Sequence, residues 1–247
     1  MAPAYDPGVT IGGDGPPLVL VPGMDGTGEL FYRQVPLLRA THRVATYRLR
    51  DDAASMAQLV DDLRSVVRAV APTGTATVVG ESFGGAVALS LAITRPELVA
   101  RLVIINSFPR FLPQLRLHLA ILALQVAPWR VMPLVRRLTA FRLHSRHTHA
   151  ADIRRFMQLT AGTTRAGYLG RLRILTRYDV RDGLETIHAP TLLLASDADH
   201  LVPAVPQARY MAARIPHATV RVLAGHGHIC LIAPDLDLAQ LLREWRG

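Results

Sequence analysis

Short, uninterrupted apolar runs alternate with helix-spaced segments along most of this chain, and that alternation restricts the fold more than any other feature. The runs are residues 18–21 (LVLV, closed by Pro22-Gly23), 43–47 (RVATY), 75–79 (TATVV, ending at Gly80), 101–106 (RLVIIN), 191–195 (TLLLA) and 219–223 (TVRVL). Continuous apolar strands lack the polar alternation of a sheet with one wet face, so the set reads as strands buried on both sides. Between them, residues 57–70 space Leu59, Leu63, Val66, Val67 and Val70 along one helical face, and residues 84–94 read as a small-residue helix. Strands of this kind joined through helices imply right-handed βαβ crossovers. The fold class is therefore α/β, a parallel sheet sandwiched between helices. With 247 residues the chain can bury a sizeable single core.

The pattern breaks between residues 107 and 189. No convincing strand occurs there, and helical patches at 115–127, 131–143, 152–160 and 166–177 are separated by Pro109, Pro113, Pro128, Pro133 and Gly162. This stretch reads as a helical insertion, leaving 1–106 and 190–247 as the core. Charge follows the same partition. The formal net charge is +9, and every basic residue is arginine. Residues 101–181 hold fifteen arginines against two acids, Asp152 and Asp179, whereas the remainder is mildly acidic. The single cysteine, Cys230, excludes an internal disulfide framework and a cysteine-based zinc site. Residues 1–7 lack the blocks of a secretory signal, and the most apolar stretch, 119–127, is too short to span a bilayer, which takes about 20 residues. A cytoplasmic protein without a transmembrane segment is expected.

Gly80-Glu81-Ser82-Phe83-Gly84-Gly85 lies where a strand ends and a helix begins. A sharp turn of the G-x-S-x-G type needs glycines beside the serine, and it presents the hydroxyl at the carboxyl end of the sheet. A serine hydroxyl becomes a useful nucleophile only when a base takes its proton, and the base works best when a carboxylate orients it. Both types follow downstream: Ser196-Asp197-Ala198-Asp199 after one strand, Gly225-His226-Gly227-His228 after the next. The order Ser, Asp, His at successive strand ends resembles the α/β-hydrolase-fold serine hydrolases over nearly the whole chain.

That resemblance implies several assignments. It favours Asp199 over Asp197 as the acid, because family members commonly place it three residues after a small residue ending the strand. The G-x-G-H ending favours His228 over His226 as the base, although imidazole chemistry alone leaves both open. Glu81 occupies the variable position of the elbow and Asp25 another loop, so neither is expected to act; His42, His188 and His217 are expected to be surface or structural residues. The oxyanion donors would be the Phe83 amide and, from the loop Pro22-Gly23-Met24-Asp25-Gly26-Thr27-Gly28, the Met24 amide with Gly23 as pivot. Pro22 replaces the family's common histidine. The PGMDGTG loop with the GESFGG elbow is similar to a bacterial subgroup of α/β-hydrolases. A phosphate loop is disfavoured: there is no lysine, no G-x-x-x-x-G-K-[ST], and Gly23, Gly26 and Gly28 do not make G-x-G-x-x-G.

The expected activity is cofactor-independent and metal-independent hydrolysis of a small carboxylic ester with an apolar moiety, through an acyl-enzyme. Lactone or thioester hydrolysis, acyl transfer and C–C hydrolysis use the same triad, and a catalytically silent binding protein on the same fold is the alternative of a different class. The insertion occupies the place of the family's helical cap, before the acid-bearing strand. Leu112, Leu115, Leu119, Leu122, Trp129, Met132, Leu134, Leu138, Phe141, Phe156 and Met157 could give it an apolar lining. Its arginines read foremost as solvated surface, then as contacts to an anionic substrate or a transient lipid surface. Nucleic acid is not an expected partner, because the arginines interleave with leucines rather than stacking aromatics. Oligomeric state is not legible.

Overall fold

Burial on both faces is what the continuous apolar strands achieve. The computed structural model describes residues 7–111, 114–126, 128–132, 134, 143 and 146–245. Seven strands, β1 (Thr10–Gly12), β2 (Pro17–Val21), β3 (Arg43–Thr46), β4 (Ala76–Glu81), β5 (Val99–Ile105), β6 (Thr191–Ser196) and β7 (Ala218–Leu223), form one sheet in the order β1-β3-β2-β4-β5-β6-β7. All neighbours are parallel except β1, which runs antiparallel to β3. Alternate residues enter separate cores: Val19, Val78, Leu102, Ile104 and Leu193 on one face, Leu18, Val79, Val103, Ile105 and Leu192 on the other.

Helices α2 (Met56–Val70) and α3 (Phe83–Thr94) cover the first face, and α1 (Gln34–Arg39) lies against the C-terminal helix on the second. Helix α2 shows the expected stripe, with Leu59, Leu63, Val66, Val67 and Val70 buried and Ser55 accepting the Gln58 amide as its N-cap. Helix α3 is buried from Phe83 to Ala92, which is why its sequence lacks a polar face. The edge strand β7 instead alternates, exposing Thr219 and Arg221. Short elements escaped the sequence pattern: β1 has three residues, and α1 six with a proline.

The described part of 107–189 contains α4 (Gln114–Val126), α5 (Ala150–Thr160) and α6 (Arg165–Leu175). Its base is pinned where the Val180 amide donates to the Pro109 carbonyl at 2.9 Å beside an Arg110–Asp179 bridge. The helical patch expected at 131–143 lies largely outside the described residues. Two further helices, α7 (Ala204–Ala212) and α8 (Leu238–Glu244), complete the chain.

Because β3 and β4 flank β2 on opposite sides, the chain reverses its direction of travel across the sheet at β2. In open α/β sheets a ligand crevice forms beyond the carboxyl ends of the strands at such a switch point. Gly23-Met24 follows β2, and Ser82 follows β4.

Close packing there demands glycine. A Cβ on Gly84 would lie 2.2 Å from the Val21 carbonyl oxygen and 2.5 Å from that of Pro22, whereas one on Gly74 would meet nothing within 4 Å. Gly84→Ala is therefore expected to lower Tm by roughly 4–10 °C through overpacking, with Gly74→Ala unchanged. Thermal unfolding followed by circular dichroism checks both.

Candidate active site

Ser82 is held in a conformation that side chains rarely adopt, φ 53° and ψ −117°, between the last residue of β4 and the first of α3. Such a geometry costs on the order of 1–3 kcal/mol and persists only when its surroundings impose it. The imposing contacts are visible. The Ser82 amide donates to Ile105 O at 2.8 Å, and Ser107 Oγ donates to Ser82 O at 2.6 Å. A Cβ on Gly80 would meet Gly84 O at 2.4 Å, and one on Gly85 would meet Ser107 Oγ at 2.5 Å.

Three residues named from the sequence meet in one chain of hydrogen bonds. His228 Nδ1 lies 2.7 Å from Asp199 Oδ2, and Nε2 lies 2.9 Å from Ser82 Oγ. A carboxylate only accepts, so Nδ1–H donates to Asp199 and, in the neutral ring, Nε2 accepts from the serine hydroxyl. The other Asp199 oxygen accepts the Leu201 and Val202 amides at 2.8 and 2.9 Å. Burial lowers the affinity of His228 for its proton, but the hydrogen bond and charge of Asp199, with Glu81 nearby, outweigh it and hold the imidazole above its usual range.

The alternatives occupy other places. Asp197 Oδ1 accepts the Gly225 amide at 2.7 Å, pinning the acid loop to the histidine loop. His226 is buried but stacks on His147 at 5.0 Å between ring centroids. Asp25 accepts from its own loop, from the Thr27 amide and hydroxyl. His188 and His217 are exposed, and half-buried His42 bonds Thr41. Among the oxyanion candidates, Phe83 opens α3, so its amide has no intrahelical acceptor. Met24 lines the same cavity as Ser82, and a Cβ on Gly23 would stand 3.9 Å from that of Ser82.

Sequence reasoning missed Asn106, Ser107 and Arg171 around this chain and set Glu81 aside. Asn106, directly after β5 and itself at φ 48°, uses Oδ1 to accept the Ser196 amide (2.8 Å) and Nδ2 to donate to Ser196 Oγ (2.9 Å) and His228 O (2.8 Å). It thereby ties together the ends of β5 and β6 and the histidine loop. Ser107 holds the serine turn, as described above. Arg171, 1% exposed, donates to Met24 O (3.2 Å), Leu49 O (3.3 Å) and Asp51 (2.9 Å), anchoring the loop after β2 to α6. Glu81 is 4% exposed, with Oε1 unpartnered among the described residues. Burial foremost pushes its carboxyl up to about 7, against a downward pull from His228. An asparagine after the sheet run RLVII and an acid inside the elbow were the available signals.

Among the described residues, a cavity of about 240 Å³ opens on Ser82 and His228, and its walls are mostly apolar, including Phe108, Phe111, Met132, Phe156, Leu172 and Ile229. Of the lining expected from the insertion, Met132 and Phe156 are there. Leu119 and Leu122, both on α4, and Leu134 are not: they are 56%, 59% and 58% exposed. Trp129 packs against Tyr168 and Met157 against the Leu30–Phe156 cluster instead. Leu112, Leu138, Phe141 and the Leu115 side chain lie outside the described residues. His147, His226 and Asp235 bring metal-type donors together within 4.8 Å of one another. Among the described residues no helix is long and apolar enough to cross a membrane.

Comparison with known proteins adds independent findings. The model of the "Alpha/beta hydrolase family" matches residues 18–241. The chain is 28% identical over 243 residues to a Serratia proteamaculans (strain 568) protein named "Putative carbamate hydrolase RutD", covering 93% of this chain and 90% of that one. It is 29% identical over 252 residues to the pimeloyl-[acyl-carrier protein] methyl ester esterase of Aromatoleum aromaticum, covering 93% and 97%. Its fold superposes on that of a thermophilic esterase from Thermogutta terrifontis with TM-score 0.83 at 23% identity, covering 96% and 91%.

Two outcomes follow from these contacts. Asn106→Ala leaves buried polar groups unpaired on two loops and is expected to destabilise the protein by about 1–3 kcal/mol in denaturant titration. Glu81 takes up a proton more readily folded than unfolded, with a carboxyl near 7 against the ordinary 4.5. Native stability should therefore fall as pH rises across that window and stay lower above it. In Glu81→Gln that component of the slope is expected to vanish, as read from Tm between pH 4.5 and 8.

Proposed function

The chain belongs to the alpha/beta hydrolase family, and from that premise we propose that it is a serine esterase acting on a carboxylic ester with an apolar moiety through an acyl-enzyme. The observation that carries the reading is the unbroken hydrogen-bond chain Asp199–His228–Ser82 opening onto an apolar cavity. In this reading Ser82 Oγ attacks the ester carbonyl while His228 Nε2 takes the hydroxyl proton. Asp199 keeps the imidazole in the tautomer that leaves Nε2 free to accept, and it stabilises the imidazolium that forms. The Met24 and Phe83 amides receive the oxyanion; one such donor is worth about 3–4 kcal/mol of barrier. The imidazolium returns its proton to the departing alcohol. Water, activated by the same histidine, then releases the acid.

Residues 107–189 serve as the cap in this reading. Met132, Phe156, Tyr168 and Leu172 come from this insertion and face the cavity together with residues of the core. A lining of that kind recognises a hydrocarbon group by burial, at roughly 0.8 kcal/mol per methylene. The modest volume, about 240 Å³, favours short chains over long ones. The esterase name of one relative supports the ester reading.

A fluorophosphonate probe is expected to label the wild-type protein and not Ser82→Ala. Absence of labelling and of turnover in folded wild-type protein would instead indicate a silent binding protein. On p-nitrophenyl esters, kcat/KM should peak at short chains and fall for palmitate. Since the base must be neutral, activity should rise with pH through the elevated His228 value. Asp199→Asn should cut kcat by about 10⁴-fold and move the remaining acid limb to lower pH, because the charge that raises the imidazole is gone.

A further inference from the structure

Beside the histidine loop, two imidazoles and one carboxylate converge. His147 Nδ1 lies 3.3 Å and His226 Nε2 3.6 Å from the same oxygen, Asp235 Oδ2. The rings stack at 28°, and the three donor atoms all lie within 4.8 Å of one another. A separation of 3.6 Å is too long for a hydrogen bond. His226 is only 6% exposed, and its Nδ1 is buried without a hydrogen-bond partner among the described residues. The same separations suit a shared ion: with zinc–ligand bonds of about 2.0–2.1 Å, neighbouring ligands on a tetrahedron stand about 3.3 Å apart.

We propose that His147, His226 and Asp235 bind one divalent transition-metal ion of the zinc class. Two imidazoles and a carboxylate make a donor set suited to zinc, cobalt or nickel rather than to magnesium or calcium. Three protein ligands leave a fourth position for water. The side chains of His147 and Asp235 are 36% and 44% exposed, which gives the ion a route in from solvent. The ligands come from separate parts of the chain. His147 belongs to the insertion, just before α5. His226 sits two residues before His228, and its carbonyl accepts the Ala198 amide at 3.0 Å beside the acid loop. Asp235 precedes α8. The insertion already touches this loop where the Ile229 amide donates to Leu143 O at 2.8 Å. A bound ion would fasten the insertion to the loop that carries His228, a structural role separate from the ester chemistry.

The test uses full-length protein stripped with EDTA and exchanged into metal-free buffer. Titration with Co2+, followed by its visible absorption, and with Zn2+, followed by calorimetry, is expected to show one equivalent per chain with a tetrahedral cobalt spectrum. Zn2+ should raise Tm further as its concentration increases. His147→Ala and Asp235→Asn alter partly exposed side chains, and each is expected to lose the bound equivalent and the Tm shift while keeping the wild-type far-ultraviolet circular dichroism. His228→Gln should retain both. The proposal is overturned if the wild-type protein shows no saturable one-to-one binding. It is equally overturned if binding survives His147→Ala and Asp235→Asn but disappears in His228→Gln, which would place the ion on the histidine beside Ser82.

Discussion

At Ser82 the backbone is pressed between neighbours that leave no room for side chains, and much of the site geometry depends on that crowding. Gly84 rests against the carbonyls of Val21 and Pro22, and Gly80 against that of Gly84. The end of β4, the start of α3 and the loop after β2 are thereby fixed at van der Waals contact. The strain at φ 53° is offset by what the turn allows: Phe83, Val87, Leu89 and Leu91 of α3 are all fully buried, at about 1.5–3 kcal/mol for each large side chain.

A second pivot lies one strand over. Asn106 adopts a positive φ at the end of β5, a conformation asparagine tolerates better than most residues. Its amide side chain reaches β6 and the carbonyl of His228. Parallel strands end on the same side of the sheet, so their loops gather there with unpaired backbone groups. A side chain with both donor and acceptor can satisfy several of them at once. The loops carrying Ser82, Asp199 and His228 are consequently linked both through the hydrogen bonds among those side chains and beneath them.

The uneven charge acquires a physical account. Arg171, among the fifteen arginines of residues 101–181, is a buried strut under the Met24 loop. Arg165 donates to the carbonyls of Leu124 and Gln125 at the end of α4, where a cation also suits the helix dipole. Arg110 and Arg181 share Asp179, while Arg154, Arg155, Arg173 and Arg177 face water. The +9 net charge therefore combines structural cations with solvated ones.

By itself the sequence determined the α/β class, most strand positions, and Ser82, Asp199 and His228 as candidates, because these properties are local. Periodicity reports burial, and a glycine-flanked serine between strand and helix leaves few backbone solutions. Only the tertiary structure decided which of two aspartates and two histidines, each pair two residues apart, face one another: Asp199 and His228 meet, whereas Asp197 pins a loop and His226 turns toward His147. Only it exposed the work of Asn106, Glu81 and Arg171. Asn106 and Arg171 act on residues about 90 to 147 positions away, and Glu81 is defined by a burial no local pattern encodes. Contacts between distant segments arise when the sheet brings strand ends together.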